Sequence, residues 1–123
     1  MPKLVLDVGN CAPDHEAIKR LVEENFDCQV VQAHGRDDAL SLLAEREFAL
    51  ALINRKLDHD YSDGIEVLKA IKAESKVADV PVMLVTNFPE HQEAATKLGA
   101  ERGFGKLEFE KPETIQRLAA FLA

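Results

Sequence analysis

Polar side chains that could carry chemistry stand at the ends of short apolar runs in this sequence. The stretch Asp7–Cys11 follows the first run, Asn54 and its loop end the third, Thr86 and Asn87 end the fourth, and Lys106 follows the fifth. Asp7, Asn54, Thr86 and Lys106 offer a carboxylate, an amide, a hydroxyl and an ammonium group. The amide of Asn54 is neutral and its nitrogen lone pair is delocalised, so it cannot act as a nucleophile as a carboxylate can. The set therefore favours a binding site over a covalent catalytic site.

The elements that must position these residues alternate between strand and helix along the chain. Apolar runs predict five strands, at 3–8, 29–33, 49–54, 81–86 and 102–105. Apolar positions spaced three and four residues apart predict five helices, which begin near Pro13, run over 36–46 and 63–75, follow Pro89, and run over 112–122. Each strand is thus followed by a helix.

This regular alternation predicts the architecture. A chain of strand–helix units forms a parallel sheet with helices on both faces, because each crossover must pack back onto the sheet. We predict a single domain over residues 1–123, an α/β three-layer sandwich whose doubly wound sheet has strand order 2-1-3-4-5. Ligands of such sheets bind beyond the carboxyl ends of the strands, where the strand order reverses. This edge would bring together Asp7, Asn54, Thr86 and Lys106.

The composition bounds the class of protein and excludes several partners. The chain has 123 residues, of which 46% are hydrophobic and 30% charged, as in ordinary soluble domains. A net charge of −7 argues against nucleic acid and an anionic membrane surface, because both attract clusters of lysine and arginine. No apolar stretch approaches the roughly 18 residues of a membrane span, so we expect a cytoplasmic protein. Cys11 and Cys28 match no zinc or redox spacing and are expected to be reduced thiols.

The sequence is most informative at residues 49–68, which read ALALINRKLDHDYSDGIEVL. A strand buried on both faces ends on a polar residue, and a polar loop leads to an Asp-Gly-Ile-Glu helix start. This arrangement resembles the centre of the receiver domain of two-component response regulators, and the strand–helix rhythm extends the resemblance over the chain. It implies a flavodoxin-like fold and a role in two-component or phosphorelay signalling, without enzymatic activity. In that family the strand ends on the aspartate that accepts a phosphoryl group, and here Asn54 stands in its place.

The same resemblance assigns roles to residues at the other strand ends. Thr86 stands where receivers hydrogen-bond the phosphoryl oxygen, and Lys106 stands where they place the lysine that pairs with phosphate. Receivers also hold magnesium with two adjacent acids after the first strand, and these positions correspond to Val8 and Gly9. Asp7 lies one residue before these two positions, so at most one carboxylate would be near the ion. Because magnesium usually requires one or two carboxylates among its oxygen ligands, we expect weak magnesium binding or none.

Two further positions differ from the family and concern its conformational switch. Gly103 stands where many receivers carry an aromatic side chain that moves on activation, so that rotamer switch is absent. Leu107 replaces a proline that is commonly cis, and because a cis bond before leucine costs about 3 kcal/mol, we expect a trans loop. The chain thus resembles a stand-alone pseudo-receiver that keeps the fold and lacks most of the phosphorylation chemistry.

The resemblance also implies a protein partner and the surface that contacts it. Receivers commonly bind their partners through strand five and its flanking helices, which correspond to residues 88–122. With no second domain predicted, we expect this surface to signal by protein–protein docking that does not depend on phosphorylation. The partner would be a histidine kinase or another signalling protein.

The main alternative is a conditional receiver that is phosphorylated on a displaced loop aspartate. Asp58, Asp60 and Asp63 are the candidates, in a loop two residues longer than the usual receiver spacing. The simpler interpretation is that these carboxylates are solvated and that Asp63 caps the third helix.

Other classes find less support in the sequence. A metal or redox site would draw on His34, His59, His91 and Cys11, whose spacing matches no zinc motif. A flavin carrier would need a longer phosphate-binding loop after the first strand, and a cobalamin carrier would need an Asp-x-His-x-x-Gly motif. An Asp-x-Asp phosphatase is excluded because Asp7 is followed by two residues without carboxylates.

Overall fold

A five-stranded parallel sheet lies between two layers of helices in the computed structural model, which describes residues 2–123. The strands are β1 (Lys3–Val8), β2 (Cys28–Ala33), β3 (Leu50–Asn54), β4 (Val82–Val85) and β5 (Glu101–Phe104). The helices are α1 (Ala12–Asn25), α2 (Arg36–Glu45), α3 (Gly64–Ala73), α4 (Pro89–Lys97) and α5 (Pro112–Leu122), and a short 3₁₀ helix, Lys106–Glu108, precedes α5. None of these helices has both the length and the apolar composition that spanning a bilayer requires.

The sheet has the strand order β2-β1-β3-β4-β5 with all neighbours parallel. This confirms the predicted doubly wound, flavodoxin-like fold. Each face carries its own apolar core, because side chains alternate along a strand. Leu50 and Leu52 of β3 pack with α1 and α5, whereas Ala51 and Ile53 pack with α2, α3 and α4. The central strand is buried along its whole length and fixes the position of Asn54 at its carboxyl end.

Proline and capping residues define where the helices begin. Pro13, Pro89 and Pro112 occupy the first turns of α1, α4 and α5, where a missing N–H costs nothing. Asp63 caps α3, because its side chain accepts a hydrogen bond from the Ile65 N–H at 2.9 Å. The predicted capping role of Asp63 is therefore confirmed.

The observed boundaries differ from the predicted ones by one or two residues. Helix α3 ends at Ala73 because Glu74 is extended and its N–H closes the last turn on Ile71. Strand β4 begins at Val82, after Pro81, which has no N–H to offer the ladder. Strand β5 begins at Glu101 and is irregular in register opposite β4. Ends of elements depend on local hydrogen bonds that apolar spacing does not reveal.

The two cysteines are free thiols, as the sequence predicted. Cys28 lies in the core on the α1 side of the sheet, and burial raises the pKa of its thiol. A thiol that stays protonated is a poor nucleophile and metal ligand, so Cys28 serves packing.

Candidate functional site

The side chain of Asn54 is a hydrogen-bond donor at the carboxyl end of β3. Its Nδ2 donates to the Gly9 carbonyl at 3.1 Å and to the Lys56 carbonyl at 2.6 Å. The Gly9 carbonyl also accepts from the Asp58 N–H at 2.9 Å. These bonds tie the loop after β3 to the end of β1. An ionised carboxylate has no hydrogen to donate, so an aspartate at this position could not make the same two bonds.

Asp7 lies inside the protein and does not face Asn54. Its side chain is fully buried, on the same side of β1 as Val5, and His15 Nδ1 of α1 lies 2.6 Å from Asp7 Oδ2. Asn10 Nδ2 donates to the other oxygen, Oδ1. Burial raises the pKa of the Asp7 carboxyl, and the bonds from His15 and Asn10 offset only part of this rise. Both side-chain oxygens of Asp7 are thus occupied by residues other than Asn54.

The two positions that correspond to the family's magnesium-binding acids cannot hold acids here. Val8 is fully buried in the apolar core. Gly9 has a φ of 77°, and a Cβ at this position would collide with Leu57. The one buried side-chain polar atom without a hydrogen-bond partner in residues 2–123 is Asn10 Oδ1, a single neutral oxygen. Because magnesium needs several oxygen ligands including carboxylates, this site does not fit the ion.

Lys106 is drawn toward α1 by an ion pair. Its Nζ lies 2.7 Å from Asp14 Oδ2, and the Cys11 thiol donates to the same oxygen at 3.2 Å. Partial burial opposes ionisation of Asp14, but the bonds from Lys106 and Cys11 prevail and hold the pKa of its carboxyl below the ordinary value. Lys106 thus keeps its predicted place at the sheet edge while its charge is partly neutralised.

The ends of β4 and β5 are joined by side-chain hydrogen bonds. Thr86 Oγ1 accepts from the Phe88 N–H at 3.3 Å and lies 3.2 Å from His91 Nδ1. Asn87 Oδ1 accepts from the Leu107 N–H at 3.0 Å. No peptide bond in residues 2–123 is cis, so the predicted trans loop before Leu107 is confirmed. These contacts hold the two loops next to each other.

Gln92 links α4 to both β4 and β5. Its buried side chain donates from Nε2 to the Leu84 carbonyl at 2.8 Å, and its Oε1 accepts from the Gly103 N–H at 2.8 Å. Gly103 has no room for a side chain, because a Cβ there would collide with the Leu84 carbonyl oxygen. Sequence reasoning missed Gln92, although its spacing from Phe88 and Ala95 places it on the apolar face of the helix.

The side chains of the three loop aspartates are either bonded within the loop or exposed to solvent. Asp60 Oδ1 accepts from the Ser62 N–H and hydroxyl at 2.9 and 2.6 Å, which lowers the pKa of the Asp60 carboxyl. Asp60 and Asp63 line a groove of about 530 Å³ between the loops that follow β2 and β3, and Asp58 is exposed. Within residues 2–123 no group of three histidine, cysteine or acidic side chains is placed to hold a metal ion.

An open cavity of about 220 Å³ lies beside Asn54, and we term it the Asn54 cavity. It is lined by Asn54, Arg55, Lys56, Val85, Thr86, Asn87, Phe88 and Lys106. The structure thus brings together Asn54, Thr86 and Lys106, as the sequence predicted. Asp7, Val8 and Gly9 do not line this cavity.

Comparisons with known proteins agree on the fold. No protein-family model matches the sequence, and a search of curated proteins found no match. The chemotaxis protein CheY4 of Vibrio cholerae is 18% identical, with both chains covered in full and a TM-score of 0.79. A response regulator receiver protein from Pseudomonas putida is 17% identical, with 98% of both chains covered and a TM-score of 0.79. A sensor protein from Polaromonas sp. JS666 is 17% identical, with 97% of this chain and 94% of that chain covered and a TM-score of 0.82.

Proposed function

We propose that this protein is an atypical receiver of two-component signalling that docks to a protein partner without being phosphorylated. The receiver-domain fold that it shares with CheY4 and the Pseudomonas putida protein supports the signalling role. The observation that carries the proposal is the donor role of Asn54, whose amide bonds two backbone carbonyls. A side chain used in this way stabilises the loop, and its neutral amide has no ionised oxygen to attack phosphorus.

The surroundings of Asn54 support the same conclusion. Transfer of a phosphoryl group to a side chain requires a nucleophilic carboxylate and a cation that neutralises the charge that develops. Asp7 is the nearest carboxylate on β1, and both of its oxygens are bonded to other side chains. Asp60 and Asp63 use an oxygen to cap backbone N–H groups. We therefore propose neither a magnesium-dependent nor a displaced acceptor site.

The proposed docking surface consists of β5, α4 and α5, within residues 88–122. Three of the large exposed apolar side chains in the described residues lie next to these elements, within residues 88–122, namely Phe88, Leu98 and Leu107, and Leu107 is 82% exposed. Gln92 fixes α4 to the two strands beneath this surface. These bonds support the proposal that the surface keeps one arrangement, which a partner would meet with constant affinity. A ligand that does not distinguish two states cannot shift their populations.

The first test is chemical. The purified protein is incubated with acetyl phosphate and magnesium, beside an active receiver domain as positive control, and both are examined by intact mass spectrometry. We expect no gain of a phosphoryl group on this chain, because Asn54 cannot form an acyl phosphate. A stoichiometric, hydroxylamine-labile adduct would contradict the proposal, and its loss on Asp58→Asn, Asp60→Asn or Asp63→Asn would locate the displaced acceptor.

The second test concerns the docking surface. Affinity for any partner recovered by pull-down is measured with acetyl phosphate and with an equal concentration of inorganic phosphate. We expect equal dissociation constants, and a tenfold difference, about 1.4 kcal/mol of coupling, would contradict constitutive docking. Leu107→Asp should weaken the complex, whereas Tyr61→Asp, at an exposed apolar residue outside the surface, should not.

A further inference from the structure

The N-terminal turn of α1 and the loop after β5 meet at a single carboxylate oxygen. Asp14 Oδ2 lies 2.7 Å from Lys106 Nζ and accepts a hydrogen bond from the Cys11 thiol at 3.2 Å. Lys106 Nζ and Cys11 Sγ can therefore be no farther apart than the sum of these two distances. Asp14 thus holds an amine and a thiol side by side, although the two elements that carry them are distant in the sequence.

This cluster of Cys11, Asp14 and Lys106 is open to small molecules in solution. The side chains of Lys106 and Asp14 are 33% and 27% exposed, and Cys11 is half-buried. The other cysteine, Cys28, is buried in the core. Because the oxidation of a thiol follows its accessibility, a small neutral oxidant is expected to react with Cys11 and to spare Cys28.

The charges around Cys11 suit a sulfur that reacts with an oxidant. Cys11 is the N-cap of α1, a helix of 14 residues, whose N-terminus carries a partial positive charge. Lys106 brings a cation into the same cluster, and although Asp14 opposes negative charge on the sulfur, its own charge is balanced by Lys106. Reactive cysteines occur in such accessible places beside a lysine and a helix N-terminus.

We propose that Cys11 and Lys106 are the two ends of a reversible crosslink that hydrogen peroxide induces. In the first step the O–O bond of the peroxide breaks and one of its oxygens is transferred to Cys11 Sγ, which gives a sulfenic acid and one water. The sulfur is oxidised by two electrons, and the peroxide is reduced by the same two.

In the second step Lys106 Nζ releases its ammonium proton to the solvent and attacks the sulfur of the sulfenic acid. The N–S bond forms, the S–O bond breaks, and the hydroxyl group leaves as water with a proton from the nitrogen. The product is a sulfenamide, which sulfenic acids form with nitrogen nucleophiles. No electrons are exchanged with another molecule in this step. An added dithiol reverses the reaction, because it restores the thiol and the amine and is itself oxidised to a disulfide.

The crosslink would tie α1 to the loop that carries Leu107. It would replace the ion pair between Lys106 and Asp14 with a covalent bond from the same lysine, and it would remove the positive charge of Lys106. This inference goes beyond the proposed docking function and fails separately from it, since it concerns two side chains of the isolated chain and neither a partner nor a phosphodonor.

The test treats the reduced, purified chain with hydrogen peroxide and maps its tryptic peptides by high-resolution mass spectrometry. We expect a linked pair of peptides that contains Cys11 and an uncleaved Lys106 and lacks two hydrogens relative to the separate peptides. Dithiothreitol should separate the pair. Oxidation of Cys11 to a sulfinic acid without a link, or to a disulfide between two chains, would overturn the proposal. A link that retains an oxygen atom would overturn its assignment as a sulfenamide.

Variants with matched controls separate the two steps. Lys106→Arg keeps a cation beside Asp14 but has no amine that can attack, because the guanidinium stays protonated. It should form the sulfenic acid, trapped by dimedone, at the rate of the wild type and lose the crosslink completely. Lys19→Arg, at an exposed lysine of α1, and Cys28→Ser should both retain the crosslink. A crosslink that survives Lys106→Arg, or that is lost equally in Lys19→Arg, would overturn the proposal.

Discussion

The carboxyl edge of the sheet has two halves that differ in which side chains they expose to solvent. In the first, at the ends of β1 and β3, polar side chains are bonded internally, Asp7 to His15 and Asn54 to two backbone carbonyls. In the second, at the ends of β4 and β5, exposed Phe88 and Leu107 flank cavities that are open to solvent. We term these the sealed half and the open half.

The difference shows how polar groups at a sheet edge are satisfied without a ligand. A buried polar group with no bound ligand needs a partner from the protein, because leaving it unpaired costs about 1–3 kcal/mol. In the sealed half, His15 takes a place beside Asp7 that a cation would favour, and the Asn54 amide donates to carbonyls. Groups satisfied in this way stabilise the fold. The exposed apolar side chains of the open half, Phe88 and Leu107, remain accessible to a partner.

The largest expected effect comes from Asn54→Asp in the sealed half. Two buried carbonyls would lose their donor and face a negative charge, so the free energy of unfolding should fall by about 2–4 kcal/mol, measured by urea denaturation at neutral pH. Asn87→Asp is the matched control, because Asn87 uses its side-chain oxygen as an acceptor and aspartate can do the same. If Asn54→Asp were as stable as the wild type, the donor role of Asn54 and the distinction between the halves would be wrong.

A smaller effect is expected from Gln92→Ala beneath the open half. The Gly103 N–H and the Leu84 carbonyl would lose a buried partner, at a cost of about 1–3 kcal/mol in the free energy of unfolding. The exchange of the Gly103 amide hydrogen should accelerate, since α4 would be less firmly held to β5. Glu93→Ala, at an exposed position on the same helix, should change neither quantity. Unaltered exchange at Gly103 would show that the open half is held rigid without Gln92.

The fold could be predicted from the sequence because its signals are local and repeated. Five apolar runs separated by helical patterns leave few topologies, and the run ending at Asn54 identifies the central strand. The convergence of Asn54, Thr86 and Lys106 followed from strand ends alone. The side chains that contact the polar residues of this edge could not be predicted. The contacts of Asp7 with His15 and of Lys106 with Asp14 depend on how α1 packs on the sheet.

The positive charge of the Asn54 cavity was also beyond sequence reasoning. Arg55 and Lys56 read as two cations in a loop that also carries three acids, and the sequence does not show which side of the loop each one faces. The structure separates them, with cations beside Asn54 and carboxylates in the larger groove. Such sorting depends on tertiary placement.

The smallest expected effect concerns the pH dependence of the sealed half. Burial raises the pKa of Asp7 above its ordinary value of 3.8, and His15 and Asn10 offset part of that rise. The folded state therefore holds the Asp7 proton more tightly than the unfolded chain does. A carboxyl with a raised pKa stabilises the fold while it is protonated, and this contribution is lost as the pH rises from 3.8 through the folded-state value.

Asp7→Asn removes this titration, so the wild type should lose stability relative to the variant as the pH increases above 3.8. The measurement is the free energy of unfolding of both proteins by urea denaturation between about pH 4 and pH 8. Asp58→Asn, at an exposed carboxylate outside this buried cluster, is the matched control. If the wild type instead gained stability relative to Asp7→Asn with rising pH, the bonds from His15 and Asn10 would outweigh burial. The sealed half would then hold a favourable ion pair and not merely a tolerated one.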